Sequence, residues 1–331
     1  MIISRTPYRI SFFGGGTDYP EWYKKYGGEV ISTSINKYVY ISVRNLPEFF
    51  KHKYRILYSK DEQVQKLESI KHKPVREILK YYKINQGIEV HYDGDIPART
   101  GVGSSSAFVV GFLNAIMALK NININKYNLS KQSIFLETKI LNEVVGSQDQ
   151  VACAHGGFNN IVFKKDGSFL IKKVKINTQK KKNLENNLFL VYSKIQRTAE
   201  IVARSFVNNL TEKKIREMQI INSLLKEAKK ILTSNHIDLF GKLLHESWMV
   251  KRSLSNKVSN QKIDDLYNFA LNSGAEGGKL LGAGGGGFFV FYFKRNNQKK
   301  FINKMKKTLI LPFQFDETGS NIIVNTKKHE K

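Results

Sequence analysis

The amino-acid sequence predicts an α+β fold, and two observations carry this prediction. Segments with the alternating, β-branched and aromatic character of strands dominate the first half of the 331 residues, whereas long helical patterns dominate the second half. Strands and helices also follow one another without the strict alternation that a parallel α/β sheet requires. At ~150 residues per domain, the length is that of a two-domain chain.

The first half contains five predicted strands and two predicted helices. The strand segments are IISRTPYRISFF, EVISTSINKYVYISVR, GIEVHY, GFNNIVF and SFLIKKVKI. Apolar residues at helical spacing predict one helix from about residue 104 to residue 119 and another from about residue 130 to residue 143.

The polar stretch NTQKKKNLENN, residues 177–187, has the composition of a linker. We therefore predict a domain boundary there, with residues 1–180 forming one domain and residues 181–331 a second. The predicted elements of the second half are the strand LFLVYS, helical patterns over residues 199–232, 237–253 and 263–273, the glycine-rich KLLGAGGGGFFVFYF, a lysine-rich helix near residues 298–309 and the strand SNIIVNT.

The composition is that of a globular protein, with 41% hydrophobic and 25% charged residues. No apolar run approaches the ~18 residues that a membrane helix needs. The first residues, MIISRTPYRISFF, place arginines among the apolar positions, so we expect no signal peptide. Cys153 is the single cysteine and can form no intrachain disulfide, which favours a cytoplasmic protein in which this side chain is a small packed hydrophobe.

The formal net charge of +26 arises from 54 lysine and arginine residues against 28 aspartate and glutamate residues. The lysines are spread along the chain in short clusters, which favours a basic solvated surface that suits anionic small molecules. Nucleic-acid binding is the alternative, because aromatic residues are scattered among the lysines, and it predicts binding that weakens steeply with salt. We expect neither a nucleic-acid nor a membrane partner.

The stretch GDIPARTGVGSSSAFVV, residues 94–110, places two glycines and three serines at the start of a predicted helix. A Walker A loop would have lysine after its last glycine, but Ser104 follows Gly103, and the dinucleotide fingerprint fails at Ser106. Glycines allow close approach to a ligand, and the free amides at a helix start bind anions. From this stretch alone, an anion site and an ordinary serine-capped helix are equal alternatives.

A second glycine cluster, KLLGAGGGGFFVFYF, fits G-x-G-x-x-G through Gly282, Gly284 and Gly287. It runs into a strand instead of a helix, so it is not a dinucleotide site. Ordering consecutive glycines costs chain entropy. We therefore interpret the cluster as a close approach of the backbone to a ligand or to the first loop, with a plain turn as the alternative.

The third cluster, PYRISFFGGGTDYPEW, ends a strand in three glycines, which Thr17 and Asp18 follow. A carboxylate after a glycine turn can accept hydrogen bonds from sugar hydroxyls or cap the next helix. Taken alone, this cluster favours capping.

Together the three clusters resemble the motifs of the galactokinase, homoserine kinase, mevalonate kinase and phosphomevalonate kinase superfamily, the GHMP kinases. PYRISFFGGGTD is similar to the family's first motif, PARTGVGSSSA to its phosphate loop and KLLGAGGGGF to its third motif. The resemblance extends over nearly the whole chain. It implies a ribosomal S5 domain 2-like N-terminal domain, a ferredoxin-like C-terminal domain and ATP bound between them.

The resemblance also implies roles for individual residues. Mg²⁺ would be bound through the oxygen atoms of Ser105 and Glu137, the latter in FLETKILNEVVGSQDQVACAHGG. Asp149 would face the reacting hydroxyl, and Arg9 would keep that carboxylate ionised. The phosphates of ATP would be held by Gly101, Val102, Gly103, Ser104, Ser105 and Ser106.

The first motif departs from galactokinases and mevalonate kinases, which carry Glu-His where this chain has Gly15 and Gly16. GGGTDYPEW and GSQDQ are similar to the branch of the family that phosphorylates the anomeric hydroxyl of sugars, and they imply D-glycero-D-manno-heptose 7-phosphate as the substrate. An unphosphorylated sugar such as fucose is the alternative. The implied substrate-binding residues of the glycine motifs are Gly15, Gly16, Thr17, Asp18, Gly284 and Gly285.

A sugar phosphate requires cationic side chains, and arginine can grip a phosphate with two hydrogen bonds. The candidates outside the three motifs are Arg197, Lys279, Lys251 and Arg252. Arg197 and Lys279 rank first, with plain surface charge as the alternative for each. The residues that contact adenine and the oligomeric state, a homodimer included, stay open.

Overall fold

The computed structural model describes residues 1–196, 199–305 and 310–326 of the chain. The strands in these ranges form a nine-stranded sheet and a four-stranded sheet, the smaller one built from β8 to β11. The strands are β1 (Ile2–Phe13), β2 (Gly28–Asn45), β3 (Tyr54–Leu57), β4 (Asp61–Val64), β5 (Ile88–Gly94), β6 (Phe158–Phe163), β7 (Phe169–Lys173), β8 (Leu188–Tyr192), β9 (Gly277–Leu280), β10 (Phe288–Tyr292), β11 (Ile310–Leu311), β12 (Phe315–Asp316) and β13 (Asn321–Asn325).

Helices cover both sheets, and the predicted α+β class is confirmed. None of the helices in the described ranges combines the length and the apolar character needed to cross a membrane. The α-helices are α1 (Pro20–Tyr26), α2 (Lys73–Tyr81), α3 (Ser104–Leu119), α4 (Lys126–Phe135), α5 (Gln148–His155), α6 (Thr178–Asn186), α7 (Ala199–Val207), α8 (Ile215–Thr233), α9 (Phe240–Arg252), α10 (Gln261–Asn272) and α11 (Arg295–Lys304).

The larger sheet is built on β1 and β2, which pair antiparallel along most of their length. The strand order is β13-β1-β2-β5-β3-β4, with β6 and β12 also pairing with β2 and with β7 pairing with β6. Helix α3 is predicted correctly at both ends, and 14 of its 16 residues are buried. A helix that is apolar on almost every side belongs inside a protein, so α3 is the central helix on which the phosphate loop is mounted.

Three sequence predictions about helices are wrong, and one of them is the helical pattern over residues 199–232, which the structure divides into α7 and α8 with turns between them. The presumed linker forms α6, because the Asn177 side chain accepts a hydrogen bond from the Lys180 amide at 2.7 Å and Leu184 is fully buried. The helix predicted over residues 130–143 ends at Phe135 and continues as a π-helical turn, Leu136–Ile140. Such turns are rare, and those that exist are frequently found at functional sites.

The chain returns to the first sheet after it has built the second one. Strand β13 pairs antiparallel with β1, and β12 pairs with β2, so residues beyond 315 complete the larger sheet. The apolar core is likewise continuous, since buried residues of β1, β8 and β10 belong to one cluster. A domain boundary near residue 180 stays a proposal. With that boundary, β12 and β13 belong to the sheet of the first domain although they follow the boundary in the sequence.

The two sheets meet where two glycine-rich loops pack backbone against backbone. The Phe288 amide donates to the Thr100 carbonyl at 2.9 Å. A Cβ atom on Gly287 would lie 2.2 Å from the Thr100 carbonyl oxygen, and one on Gly101 would lie 2.7 Å from that of Leu281. The glycine cluster that precedes β10 therefore serves a close approach to the first loop, one of the two functions that the sequence predicted for it.

We expect Gly287→Ala to be much more destabilising than Gly167→Ala, although both glycines have positive φ, at 99° and 85°. Gly167 has no atom within 4 Å of an added Cβ, so its substitution costs only backbone strain of about 1–2 kcal/mol. At Gly287 the clash with the first loop adds to that strain, for a total loss of about 3 kcal/mol or more. Chemical denaturation of both variants measures this, and equal losses would contradict the packing argument.

Candidate active site

The first loop ends in the start of α3 with its backbone amides free of side-chain caps. Gly103 is the N-cap residue in the left-handed conformation, with φ at 79° and no side-chain hydrogen bond to the helix. The Ser104 hydroxyl is used differently, since it accepts a hydrogen bond from the Arg99 amide at 3.2 Å. Of the two alternatives left by the sequence, the geometry favours an anion site over a serine-capped helix.

Arg9 and Asp149 form a bidentate ion pair beside this loop. Arg9 Nε donates to Asp149 Oδ1 at 2.7 Å and Nη2 donates to Oδ2 at 2.5 Å. The remaining terminal nitrogen, Nη1, donates to the Gly101 carbonyl oxygen at 2.7 Å. The arginine therefore connects β1, the first loop and the first turn of α5.

The environments of the two charges differ. Arg9 is 3% exposed, and although burial lowers its pKa, the pairing with Asp149 outweighs that effect and raises it. The Asp149 side chain is 21% exposed, so it can be reached from solvent. A Cβ atom on Gly103 would lie 3.1 Å from Arg9 Cγ, which shows how closely the loop packs on the arginine.

Glu137 lies on the π-helical turn and is fully buried. Its carboxylate accepts hydrogen bonds from the Ser106 hydroxyl at 2.8 and 3.0 Å and from the Gln150 side-chain amide. Burial, with a contribution from Glu143, raises its pKa to about 8. The structure thus brings Ser106 to Glu137, whereas Ser105, the serine that the sequence pairs with it, has an exposed side chain.

The residues around Glu137 fit a divalent cation that arrives with a nucleotide. The raised pKa reflects a buried carboxylate with no cation beside it, and Gln150 Oε1 has no hydrogen-bond partner among the described residues. No group of three or more histidine, cysteine, aspartate or glutamate side chains in the described ranges could hold a metal alone. This suits Mg²⁺, which takes one or two protein carboxylates and completes its shell with phosphate oxygens and water.

The first glycine motif places Asp18 against the start of α5. Asp18 is 1% exposed, and its carboxylate accepts hydrogen bonds from the Gly16 amide and from Gln148 Nε2, both at 2.9 Å. It does not cap α1, whose N-cap residue is Tyr19 with no side-chain cap. Burial and the neighbouring Asp149 raise the pKa of Asp18. Capping, which the motif alone favours, is therefore not the function of this carboxylate.

Other residues of the glycine motifs that were predicted to contact the substrate make hydrogen bonds or packing contacts within the protein. The Thr17 hydroxyl donates to the carbonyl oxygens of Gly14 and Glu29 at 2.8 and 2.9 Å, and Thr17 is fully buried. The Gly285 amide donates to the Val258 carbonyl oxygen at 2.6 Å, and an added Cβ on Gly284 would meet Val258 as well. In the structure, Thr17, Gly284 and Gly285 therefore determine the conformation of their own loops.

The candidate cations have different environments, and plain surface charge does not describe Lys279. Lys279 is 4% exposed and donates to the Phe12 carbonyl oxygen at 2.8 Å, and burial and Arg9 lower its pKa to about 7. Lys251 donates to the carbonyl oxygens of Leu280 and Gly282. Arg252 pairs with Asp264 at 2.8 Å, and Arg197 lies outside the described residues.

Sequence reasoning missed Gln148 and Gln150. Both flank Asp149 in GSQDQ, and both side chains reach carboxylates of the site, Asp18 for the first and Glu137 for the second. Their position next to the predicted catalytic residue was the available signal. An amide adjacent to a candidate base carries no charge of its own, so composition and charge could not single it out.

Two family models match this chain. One, described as the GHMP kinases N terminal domain, matches residues 70–157, and the other, described as GHMP kinases C terminal, matches residues 224–311. The chain belongs to the GHMP kinase family. It is therefore a kinase that uses ATP, and the relatives that it matches include sugar kinases.

Relatives of this GHMP kinase include enzymes named for two kinds of sugar. D-glycero-alpha-D-manno-heptose 7-phosphate kinase of Campylobacter jejuni is 27% identical over 296 residues, which cover 86% of each chain. The bifunctional fucokinase/GDP-fucose pyrophosphorylase of Arabidopsis thaliana is 21% identical over 304 residues, which cover 84% of this chain and 28% of that protein.

Solved structures confirm the fold. A D-glycero-D-manno-heptose 1-phosphate kinase from Bacteroides thetaiotaomicron has a TM-score of 0.79 at 22% identity, with 98% of this chain and 99% of that one covered. The predicted GHMP kinase fold is thereby confirmed from one end of the chain to the other.

In the absence of metal, Glu137 should make the stability of this kinase fall as pH rises. The folded protein holds a proton on Glu137 up to a pKa of about 8, whereas the ordinary pKa of this side chain, as in the unfolded chain, is 4.5. Between these values the free energy of unfolding should lose at most about 1.4 kcal/mol per pH unit relative to Glu137→Gln, which cannot titrate.

Denaturant unfolding in the presence of EDTA across this pH window measures the effect. Glu21→Gln is the matched control, because Glu21 is exposed on α1, and it should keep the slope of the native protein. Parallel stability curves for the native protein and Glu137→Gln would contradict the assignment.

Proposed function

We propose that this GHMP kinase transfers the γ-phosphoryl group of ATP to the anomeric hydroxyl of D-glycero-D-manno-heptose 7-phosphate and forms the 1,7-bisphosphate. The observation that carries the proposal is the ion pair of Arg9 and Asp149, held at 2.5–2.7 Å against the phosphate loop through the Gly101 carbonyl. The named similarity to a heptose 7-phosphate kinase supports the choice of sugar. The product would serve the synthesis of nucleotide-activated heptose for surface polysaccharide.

Asp149 is proposed as the residue that orients the anomeric hydroxyl and accepts its proton. A carboxylate that is partly exposed and fixed by two hydrogen bonds from one arginine meets the geometric need of a general base. Arg9 orients the carboxylate, and its positive charge lies close to where the phosphoryl group would pass. Arg9 thus acts on the base and on the transferring group together.

On the nucleotide side, the free amides at the start of α3 are proposed to hold the phosphates of ATP, with Gly101 and Gly103 giving the backbone its turn. Glu137 is proposed as the protein carboxylate of the Mg²⁺ site, with Ser105 or Ser106 supplying a hydroxyl. Mg²⁺ would supply charge neutralisation between the β- and γ-phosphates. In the described structure Ser106 already contacts the carboxylate, which favours it over Ser105.

On the sugar side, the first glycine motif is proposed to bind the sugar through Asp18 and the space beside Gly15 and Gly16. Lys279 is proposed to face this region, because Arg9 and Asp18 are the charged groups that influence its pKa. Its burial argues against a direct grip on a distal phosphate. Arg197 is the first candidate for binding that phosphate. Gly284 and Gly285 are proposed to form the opposite wall of the sugar site.

An unphosphorylated sugar such as fucose is the second candidate substrate. The similarity to a bifunctional fucokinase/GDP-fucose pyrophosphorylase supports it, as does the environment of the candidate cations, since Lys251 and Arg252 are both engaged with protein groups. A preference of the enzyme for the phosphorylated sugar over the free sugar would distinguish the two candidate substrates.

We expect heptose 7-phosphate to give the highest kcat/KM in an ADP-release screen over free sugars and sugar phosphates. Phosphorus NMR of the product should show the new phosphate on the anomeric carbon. Asp149→Asn serves as the control for background ATP hydrolysis. Transfer to any other hydroxyl, or equal turnover of the sugar without its 7-phosphate, would overturn the proposed substrate.

Asp149 and Arg9 should behave as one catalytic unit. We expect Asp149→Asn to lower kcat about 10²–10⁴-fold with little change in KM for ATP, because a general base is lost. Arg9→Ala should lower kcat by a similar factor, and the double variant should be little worse than the poorer single one. Asp166→Asn, an exposed aspartate between β6 and β7, is the matched control. Strictly additive losses, or a near-normal kcat for Asp149→Asn, would refute the pairing.

A further inference from the structure

Gly15 has no structural need to be glycine, unlike its two neighbours. Gly14 and Gly16 have φ values of 82° and 107°, in the left-handed region, and Gly15 lies outside that region. A Cβ atom on Gly14 would lie 2.0 Å from the Glu29 carbonyl oxygen. Residue 15 is half-buried, and a Cβ there would meet nothing closer than 3.7 Å. Neither backbone strain nor packing explains why residue 15 lacks a side chain.

The space beside Gly15 is bordered by two polar side chains. An added Cβ would lie 3.7 Å from Ser11 Oγ and 3.8 Å from Gln148 Nε2, both ordinary contact distances. Ser11 is 6% exposed and Gln148 is 8% exposed. Among the residues that the structure describes, neither Ser11 Oγ nor Gln148 Oε1 has a hydrogen-bond partner. Unpaired buried polar atoms are costly, so two of them on the side chains that border Gly15 indicate a ligand that satisfies them.

The chemistry of the two free atoms is that of a site for a hydroxyl group. Gln148 Nε2 donates to Asp18 Oδ2 at 2.9 Å, and this bond leaves Oε1 as the free acceptor. Ser11 Oγ can donate or accept. An anion would meet the acceptor Oε1 and the Asp18 carboxylate nearby, whereas a hydroxyl can donate to Oε1 and accept from Ser11.

Both side chains belong to the elements that hold the catalytic pair. Ser11 follows Arg9 by two positions on β1, so the two side chains share one face of the sheet. Gln148 directly precedes Asp149 at the start of α5. A sugar whose reacting hydroxyl lies at Asp149 can therefore place another of its hydroxyls between Ser11 and Gln148.

We propose that Ser11 and Gln148 form a hydroxyl-binding subsite that determines which sugar is accepted, and that Gly15 keeps this subsite open. This inference rests on the proposed function only in that the ligand is a sugar, and it holds for a heptose phosphate and for a free sugar alike. A permanently buried water would satisfy the same two atoms, and the experiment separates it from a sugar hydroxyl.

The test uses Ser11→Ala and Gly15→Ala, assayed with the sugar that the native enzyme phosphorylates best. Loss of one neutral hydrogen bond should raise KM for the sugar about five- to tenfold in Ser11→Ala, with KM for ATP unchanged. The added methyl group of Gly15→Ala should raise KM for the sugar at least as much. Neither variant touches the bond between Gln148 and Asp18, so the arrangement of the catalytic residues is retained.

Ser133→Ala is the matched control, because Ser133 on α4 is also a buried serine whose hydroxyl has no partner in the described structure. It should leave both KM values unchanged. Melting temperatures of all three variants close to that of the native enzyme establish that the fold is intact.

Monodeoxy analogues of the sugar identify the hydroxyl. One analogue should lose affinity with the native enzyme and lose almost nothing further with Ser11→Ala, since the same hydrogen bond is already absent. An unchanged KM for the sugar in Ser11→Ala and Gly15→Ala, as a structural water predicts, would overturn the subsite. The site of phosphorylation and the preference for the 7-phosphate are measured on the native enzyme alone, so failure of the proposed substrate is distinguishable from failure of the subsite.

Discussion

The guanidinium group of Arg9 on β1 is buried, and two other parts of the chain, the phosphate loop and α5, contribute the groups that satisfy it. Its side chain bonds to the Gly101 carbonyl and to the Asp149 carboxylate, and its backbone amide donates to the Val102 carbonyl at 3.0 Å. A buried charge is tolerated only when it is paired and hydrogen-bonded. The positions of β1, the phosphate loop and α5 are therefore linked, and a shift of any one of them would leave the arginine unsatisfied.

The second sheet acts on this arrangement through hydrogen bonds to main-chain atoms. Strand β10 bonds to Thr100 just before the phosphate loop, and the Lys279 side chain on β9 bonds to the Phe12 carbonyl oxygen at the end of β1. The Lys251 side chain holds the end of β9 and the loop after it through the carbonyl oxygens of Leu280 and Gly282. The contact of β10 depends on strand register and on the glycines beside it, whereas the other two depend on the lysine side chains.

The sequence was sufficient for the elements and motifs whose signal is local. The ends of α3, the strand before the first glycine motif and the pairing of Arg9 with Asp149 follow from periodicity or from the family's motifs. The helix at residues 178–186 was missed because a single buried leucine and an asparagine cap decide it within a polar stretch. The contact of Ser106 with Glu137 and the roles of Gln148 and Gln150 depend on how a π-helical turn and a short helix meet, which no spacing along the chain encodes.

The pairing of β13 with β1 affects how the protein can be made. Ile2 pairs with Asn325 and Arg5 with Asn321, so this edge of β1 stays unpaired until residues 321–325 have left the ribosome. A long apolar strand with an unpaired edge invites association with other chains. During synthesis, β1 is therefore open to pairing with other chains, and β13 protects that edge once it has been translated.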